Sequence, residues 1–261
     1  MKNRLIQGLI TCSIFELKNI DCLEYIKTMP DNSVDCIITD PPYQLNNHGG
    51  RGGSVCSLQK YNSKEFNALI SGYDYEKVLN EFKRISSQGY IFCSEKQIVT
   101  ILNYFPKPYI TTLLVWHKTN APPFANGTWK SDIEFIVHYR QRSKTFQGGA
   151  VVKSKVFAYP FAVFQGHPTV KPISLIERLT KISTNENDIV FDPFMGSGTT
   201  GIACMNLKRN FIGCELDTEY FEIAKSRVEK AYYSKNVEIK NDIINLSEYR
   251  PRGENQLRFF K

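Results

Sequence analysis

The sequence contains no Cys-x-x-Cys pair, no Gly-Lys-Ser/Thr triplet and no internal repeat, and no apolar run approaches the roughly 18 residues a membrane span needs. Each absence removes a class. The seven cysteines, Cys12, Cys22, Cys36, Cys56, Cys93, Cys204 and Cys214, are odd in number and scattered. They argue against a disulfide framework and against a zinc site, so no metal is expected, and they suit a reducing compartment. Without the Gly-Lys-Ser/Thr string there is no phosphate-cradling loop of the P-loop kind. Strong charge of either sign is also lacking: 33 Lys and Arg against 26 Asp and Glu give +7, too mild to implicate a polyanion alone. At the start of the chain Lys2 and Arg4 precede a weakly apolar stretch that Gln7, Gly8 and Thr11 interrupt before Glu16. That is a poor secretory leader, and a cytoplasmic protein is expected.

What is present is the composition of a globular protein, 42% hydrophobic and 23% charged, in 261 residues that can bury a substantial core. The excess charge is local. Lys107, Lys118, Lys130, Arg140, Arg142, Lys144, Lys153 and Lys155 face only Asp132 and Glu134 across that segment, the footprint of a nucleic-acid-binding face or of a plain solvated one. Short apolar runs alternate with periodic segments, which predicts an α/β fold with a mostly parallel, doubly wound sheet. Strands are expected at 34–39, 90–93, 109–116, 133–139 (an edge strand by its alternation), 189–192 and 211–215. Helices are expected at 23–29, 75–85, 172–181, 199–207 and 219–231. One domain over 1–232 and an appendage of unknown role over 233–261 are anticipated. Gln44 to Ser57, with Gly49, Gly50, Gly52 and Gly53 around Arg51, and Lys118 to Ser131, with Pro122, Pro123 and Gly127, look like loops.

Residues 190–217 read VFDPFMGSGTTGIACMNLKRNFIGCELD. A strand runs into Gly196-Ser197-Gly198, a helix follows, and a second strand ends at Glu215. Glycines at a strand-to-helix turn admit close backbone approach, and an acid at the tip of the next strand can accept both ribose hydroxyls. A dinucleotide would call for a third glycine where the loop reads Thr199-Thr200-Gly201, so a nucleoside ligand without phosphates, such as S-adenosylmethionine (SAM), fits better. A plain tight turn is the bland alternative.

The second string is Ile37-Ile38-Thr39-Asp40-Pro41-Pro42-Tyr43. Asp40 follows an apolar strand, which delivers it to the carboxyl edge of the sheet, where open α/β folds bind ligands. The two prolines fix the turn and remove two donors, leaving carbonyl acceptors, while Tyr43 presents a flat face. A carboxylate beside a carbonyl suits a planar NH₂ group, and an aromatic ring suits the base that carries it. An exocyclic amine is a poor nucleophile because its lone pair is delocalised, and two acceptors on its hydrogens favour a pyramidal nitrogen able to attack a methyl sulfonium. The chain has no Pro-Cys pair, as an activated thiol for methylation at cytosine C5 would require. A surface turn is the alternative for this string taken alone.

With both strings in place the chain resembles the DNA amino-methyltransferases of the permuted β class. DPPY at 40–43 is similar to the family's catalytic motif, DPFMGSGTT at 192–200 to its cofactor loop, and HPTVKP at 167–172 to its third signature, in the class-specific order. The resemblance implies a SAM-dependent methyltransferase fold with permuted motifs, SAM as cofactor and DNA as substrate. It implies that Asp40 and the Pro41 carbonyl hold the target amine, that Pro42 stiffens the turn and that Tyr43 stacks on a flipped base. It assigns Asp192, Pro193, Phe194, Gly196, Ser197, Gly198 and Thr199 to the cofactor loop, Glu215 to the ribose, His167, Thr169 and Lys171 to the methionine end, and Asp21 with Cys22 to the adenine, although Ile20 stands where the family has glycine. DPPY accompanies adenine N6 in this class. With no room for a recognition domain, base readout falls to loops at about 44–64 and 118–165, with Arg51, Lys118, Asn120, Asn126, Lys130, Arg140 and Arg142 as candidate DNA contacts. Trp116, Phe124 and Trp129 could stack on bases, with core packing the default for Trp116. The alternatives are the same chemistry on cytosine N4, RNA or a protein amide, and a non-catalytic DNA- or SAM-binding module. A cognate restriction endonuclease and a homodimer are possible partners.

Overall fold

The computed structural model describes residues 13–41, 75–122, 129–162 and 170–248. The described residues form an α/β sandwich. Its strands are β1 (Phe15–Asn19), β2 (Cys36–Thr39), β3 (Gln88–Cys93), β4 (Ile110–Lys118), β5 (Ile133–Arg140), β6 (Val156–Tyr159), β7 (Ile189–Asp192) and β8 (Asn210–Glu215). Its helices are α1 (Cys22–Thr28), α2 (Tyr75–Ile85), α3 (Ile98–Tyr104), α4 (Ile173–Ser183), α5 (Thr199–Asn206) and α6 (Thr218–Glu248). The strands make one sheet in the order β1-β8-β7-β2-β3-β5-β4-β6. All neighbouring pairs are parallel except the two that β5 makes. The expected mostly parallel, doubly wound sheet is what the chain forms.

Alternation along the strands divides the core between two faces. Cys36, Ile38, Tyr90 and Phe92 face α4, α5 and α6, while Ile37, Ile91 and Cys93 face α1, α2 and α3. Both sides of the central strands are therefore dry, which is why these strands read as continuous apolar runs.

Three findings depart from the sequence reading. β5 is not an edge strand but lies between β3 and β4. The polar residues that suggested an edge, Glu134 and His138, are accommodated inside: Glu134 is neutralised by two lysines, and His138 stacks on Tyr90 at 4.2 Å. Burial drives the His138 pKa down to about 3, so the ring is neutral at working pH. β1, α3 and β6 are present where no element was expected. Finally, α6 does not stop near residue 231 but continues to Glu248. No glycine or proline interrupts 218–248, and the next proline is Pro251.

α6 starts against the sheet. Ala224 and Val228 are buried, and Tyr232 meets Phe15 edge-on at 5.3 Å. α5 packs beside α6 on the same face, and its Gly201 permits the approach: a Cβ there would stand 2.6 Å from Val228 Cγ2 and 2.7 Å from the Phe211 ring. Gly201→Val should therefore destabilise the fold by about 1–3 kcal/mol through overpacking. The urea midpoint measures this, and an unchanged midpoint would mean the α5–α6 contact yields freely.

Candidate active site

β2 and β7 bring the two motifs together. They are parallel neighbours with Cys36 opposite Val190 and Ile37 opposite Phe191, so Asp40 and the turn after Asp192 emerge side by side at the carboxyl edge. β1 and β8 place Asn19 opposite Glu215, and the Ile20 N–H donates to the Glu215 carbonyl (3.2 Å), so Asp21 starts α1 beside Glu215. Asp21, Glu215, Asp192 and Asp40, from the tips of four adjacent strands, share one carboxyl edge, the position at which open α/β sheets bind ligands.

The glycine turn is held from within. Asp192 is buried; its Oδ1 accepts the Phe194 N–H (3.2 Å) and its Oδ2 accepts the Thr200 hydroxyl (2.7 Å), tying strand end to helix start. Gly196 and Gly198 have φ of 49° and 77°, the left-handed region that favours glycine. A Cβ on Gly198 would lie 3.0 Å from the Ala224 backbone, and Arg227 of α6 donates to the Ser197 carbonyl. Glu215 Oε2 accepts the Gly196 N–H and Oε1 the Asp217 N–H, both at 2.9 Å. Each oxygen keeps a further lone pair for a ligand hydroxyl. Burial raises the Glu215 pKa, opposed by those backbone hydrogen bonds. Asp21 caps α1, its Oδ1 accepting from the Leu23 and Glu24 N–H groups (2.8 and 3.3 Å), with Cys22 buried behind it.

At the tip of β2 Asp40 is ion-paired. Lys171 Nζ stands 2.6 Å from Asp40 Oδ2 and 2.9 Å from Glu134 Oε2, and Glu134 Oε1 is 2.8 Å from Lys118 Nζ. Lys171 is only 8% exposed and lies over the Phe92 ring. Burial pulls its pKa down, but the attraction of Asp40 and Glu134 outweighs that and holds the ammonium charged. Likewise burial pushes Glu134 up, and Lys171 and Lys118 bring it below the usual carboxylate range. Lys171, expected to hold the methionine carboxylate, is paired here with two protein carboxylates. Glu134 had no expected role. Its only signal was an acid within an apolar strand, and its partners became visible through strand register alone.

The other expected residues separate. Pro41 is buried beside Asp40, and Pro193 and Phe194 follow β7 at the same edge. Pro42, Tyr43, Arg51, Phe124, Asn126, His167 and Thr169, with the loop at 44–64, lie outside the described residues. Lys118 is committed to Glu134 and the Trp116 ring, and Trp116 is core, its indole donating to the Tyr159 carbonyl (2.9 Å). Asn120 latches Phe161 through both amide atoms, Oδ1 to the N–H (2.7 Å) and Nδ2 to the carbonyl (3.2 Å). Lys130 and Trp129 are exposed on the connection from β4 to β5, at the Asp40 edge. Arg140 and Arg142 are not brought to the site. Arg140 ends β5 opposite Gln88 and Ile110, the first residues of β3 and β4, so both arginines lie at the far, amino edge.

The family described as DNA methylase, covering N6 and N4 methyltransferases, matches residues 34–226. The chain belongs to that family. It is 30% identical over 237 residues to the type II methyltransferase M2.MboI of Moraxella bovis, covering 82% of this chain and 87% of that protein. It is 29% identical over 244 residues to M2.DpnII of Streptococcus pneumoniae, covering 82% and 89%. Among solved structures, the M1.HpyAVI–SAM complex superposes with a TM-score of 0.63 at 28% identity, over 82% of this chain and 99% of that one. The protein is thus a SAM-dependent DNA methyltransferase. Its rim fits the cofactor on its own terms: the buried Thr199 Oγ1 at the start of α5 has no hydrogen-bond partner among the described residues, and Glu215 has lone pairs to spare. Among those residues no helix is long and apolar enough to cross a membrane.

Burial lifts the Asp192 pKa to about 7, against roughly 3.9 unfolded. A raised carboxyl pKa favours the folded state at low pH, and that contribution is lost as pH rises through the folded value. Relative to Asp192→Asn, the native protein should lose stability from about pH 4 to 7. Denaturant titrations across that window test this, and a constant difference between the two proteins would contradict it.

Proposed function

We propose that the protein methylates the exocyclic N6 amine of adenine in DNA as a site-specific modification enzyme. The observation that carries this reading is the Asp40 carboxylate at the tip of β2, beside the glycine turn that follows β7. Asp40 and the Pro41 carbonyl accept the two amine hydrogens, which localises the lone pair on nitrogen and aims it into the crevice. When bound, SAM supplies an electrophilic methyl group on a sulfonium. Gly196, Gly198 and Thr199 would let it approach the α5 start, Glu215 would accept its ribose hydroxyls, and Asp21 with Cys22 would stand toward the adenine end. Asp40, against the amine nitrogen, would stabilise the positive charge that the nitrogen gains on methylation until its proton is lost. No covalent enzyme intermediate is needed.

A base in duplex DNA hides its amine, so the target is flipped out, with Tyr43 stacking on it. Lys130 and Trp129 at the Asp40 edge, with Arg51, are the DNA contacts this reading favours; Arg140 and Arg142 would need DNA to wrap around to the opposite edge. The preference for adenine over cytosine N4 rests on Asp at position 40 in the DPPY motif. The reading carries with it a cytoplasmic location and a cognate restriction endonuclease against which the mark protects, acting as monomer or homodimer.

Nucleosides from DNA incubated with the protein and labelled SAM should contain N6-methyladenine. N4-methylcytosine instead would overturn the adenine assignment. Asp40→Ala should bind SAM as the native protein does and lose methyl transfer by about 100-fold or more. Turnover near the native rate would remove Asp40 from the amine site.

A further inference from the structure

We infer that Glu134 is a positioning residue for methyl transfer, holding Lys171 so that Asp40 can be released to the target amine. The inference rests on the amine-binding role of Asp40. Lys171 Nζ lies 2.6 Å from Asp40 Oδ2, so an amine hydrogen that is to reach this oxygen must compete with an ammonium. The competition worsens during the reaction, because the amine acquires positive charge a few ångströms from Lys171. A lone lysine there would both block the acceptor and oppose the transition state.

Glu134 changes the balance. Its Oε2 holds the same ammonium at 2.9 Å from the side of β5, so Lys171 keeps a carboxylate partner when Asp40 turns to the amine. Without it, release would strand a buried lysine charge with no carboxylate beside it. Lys118 completes the chain through Oε1 at 2.8 Å, and it lies over Trp116, which fixes Glu134 in place. The four groups, two lysines and two carboxylates in alternation, sum to zero charge. The row is set by register: Glu134 faces Trp116 across the β4–β5 pair, and Phe135 faces Cys93 at the end of β3, next to the β2 tip.

Charge and shape give opposite orders of tolerance. Glu134→Gln keeps the shape and loses the charge, whereas Glu134→Asp keeps the charge and shortens the arm. If Glu134 holds Lys171 electrostatically, Glu134→Gln should lower kcat by roughly tenfold to a hundredfold, with SAM affinity by calorimetry and the melting temperature near native. Glu134→Asp should recover most of that loss. Turnover of Glu134→Gln within about twofold of native, or a better Gln than Asp variant, would overturn the inference, as would a loss of kcat matched by equal losses in SAM binding and stability. The comparison uses whichever methylated base the native protein makes, so a cytosine product would end the adenine assignment and leave this test intact. An inactive Asp40→Ala beside an undisturbed Glu134→Gln would defeat the present inference alone.

Discussion

A lysine ammonium nine-tenths removed from water between two carboxylates is the constraint on which the site depends. Taken singly, the buried Lys171 ammonium would be costly at its position, since a buried charge without a partner loses several kcal/mol of hydration. With Asp40, Glu134 and Lys118 it forms a row that alternates in sign, and the cost is offset by contacts of 2.6 to 2.9 Å. Such a row contributes little net stability over an apolar replacement, so its value lies in placement. It sets a carboxylate at the tip of β2 with a positive group against it, the arrangement on which the proposed amine site rests.

The sheet supplies the rest by geometry. Parallel pairing of β2 with β7 sets the catalytic turn beside the glycine turn, and pairing of β1 with β8 sets Asp21 beside Glu215. Residues far apart in the chain thus meet on one rim with no long loops needed to carry them. Packing behind the rim is equally demanding. Gly198 touches Ala224, Gly201 touches Val228 and Phe211, and Arg227 reaches the Ser197 carbonyl, so α6 buttresses the cofactor turn along its length. The Asp192 carboxyl beneath joins strand to helix through Phe194 and Thr200.

Much of this was legible in the sequence where the signal was contiguous. β7 and α2 fall at the residues expected because unbroken apolar runs or helical spacing sit between clear punctuation. β1 and β6 were missed because FELKN and VFAY are short and half exposed, with too little apolar content to mark them. α3 has no side-chain cap hydrogen bond at Gln97, so nothing local announces it. Asp40 and the glycine turn were visible as candidates because each belongs to a short string of adjacent residues, and the pairing of β2 with β7 sets the two side by side. The row from Lys118 to Asp40 was not, because Glu134 reads as one acid in a basic segment until β5 is slotted between β3 and β4. Arg140 and Arg142 show the converse: charge clustered along the chain is not clustered in space, because β5 runs antiparallel and carries its end to the opposite edge of the sheet.

If Asp40 accepts the target amine, its carboxylate must leave Lys171 when the base enters. A crystal structure of the protein with its DNA and a non-reactive SAM analogue measures this directly. An Asp40 oxygen should then stand about 3 Å from the extruded amine nitrogen, with Lys171 retained by Glu134. An amine held by other groups, with the Asp40–Lys171 pair intact, would show that Asp40 does not bind it.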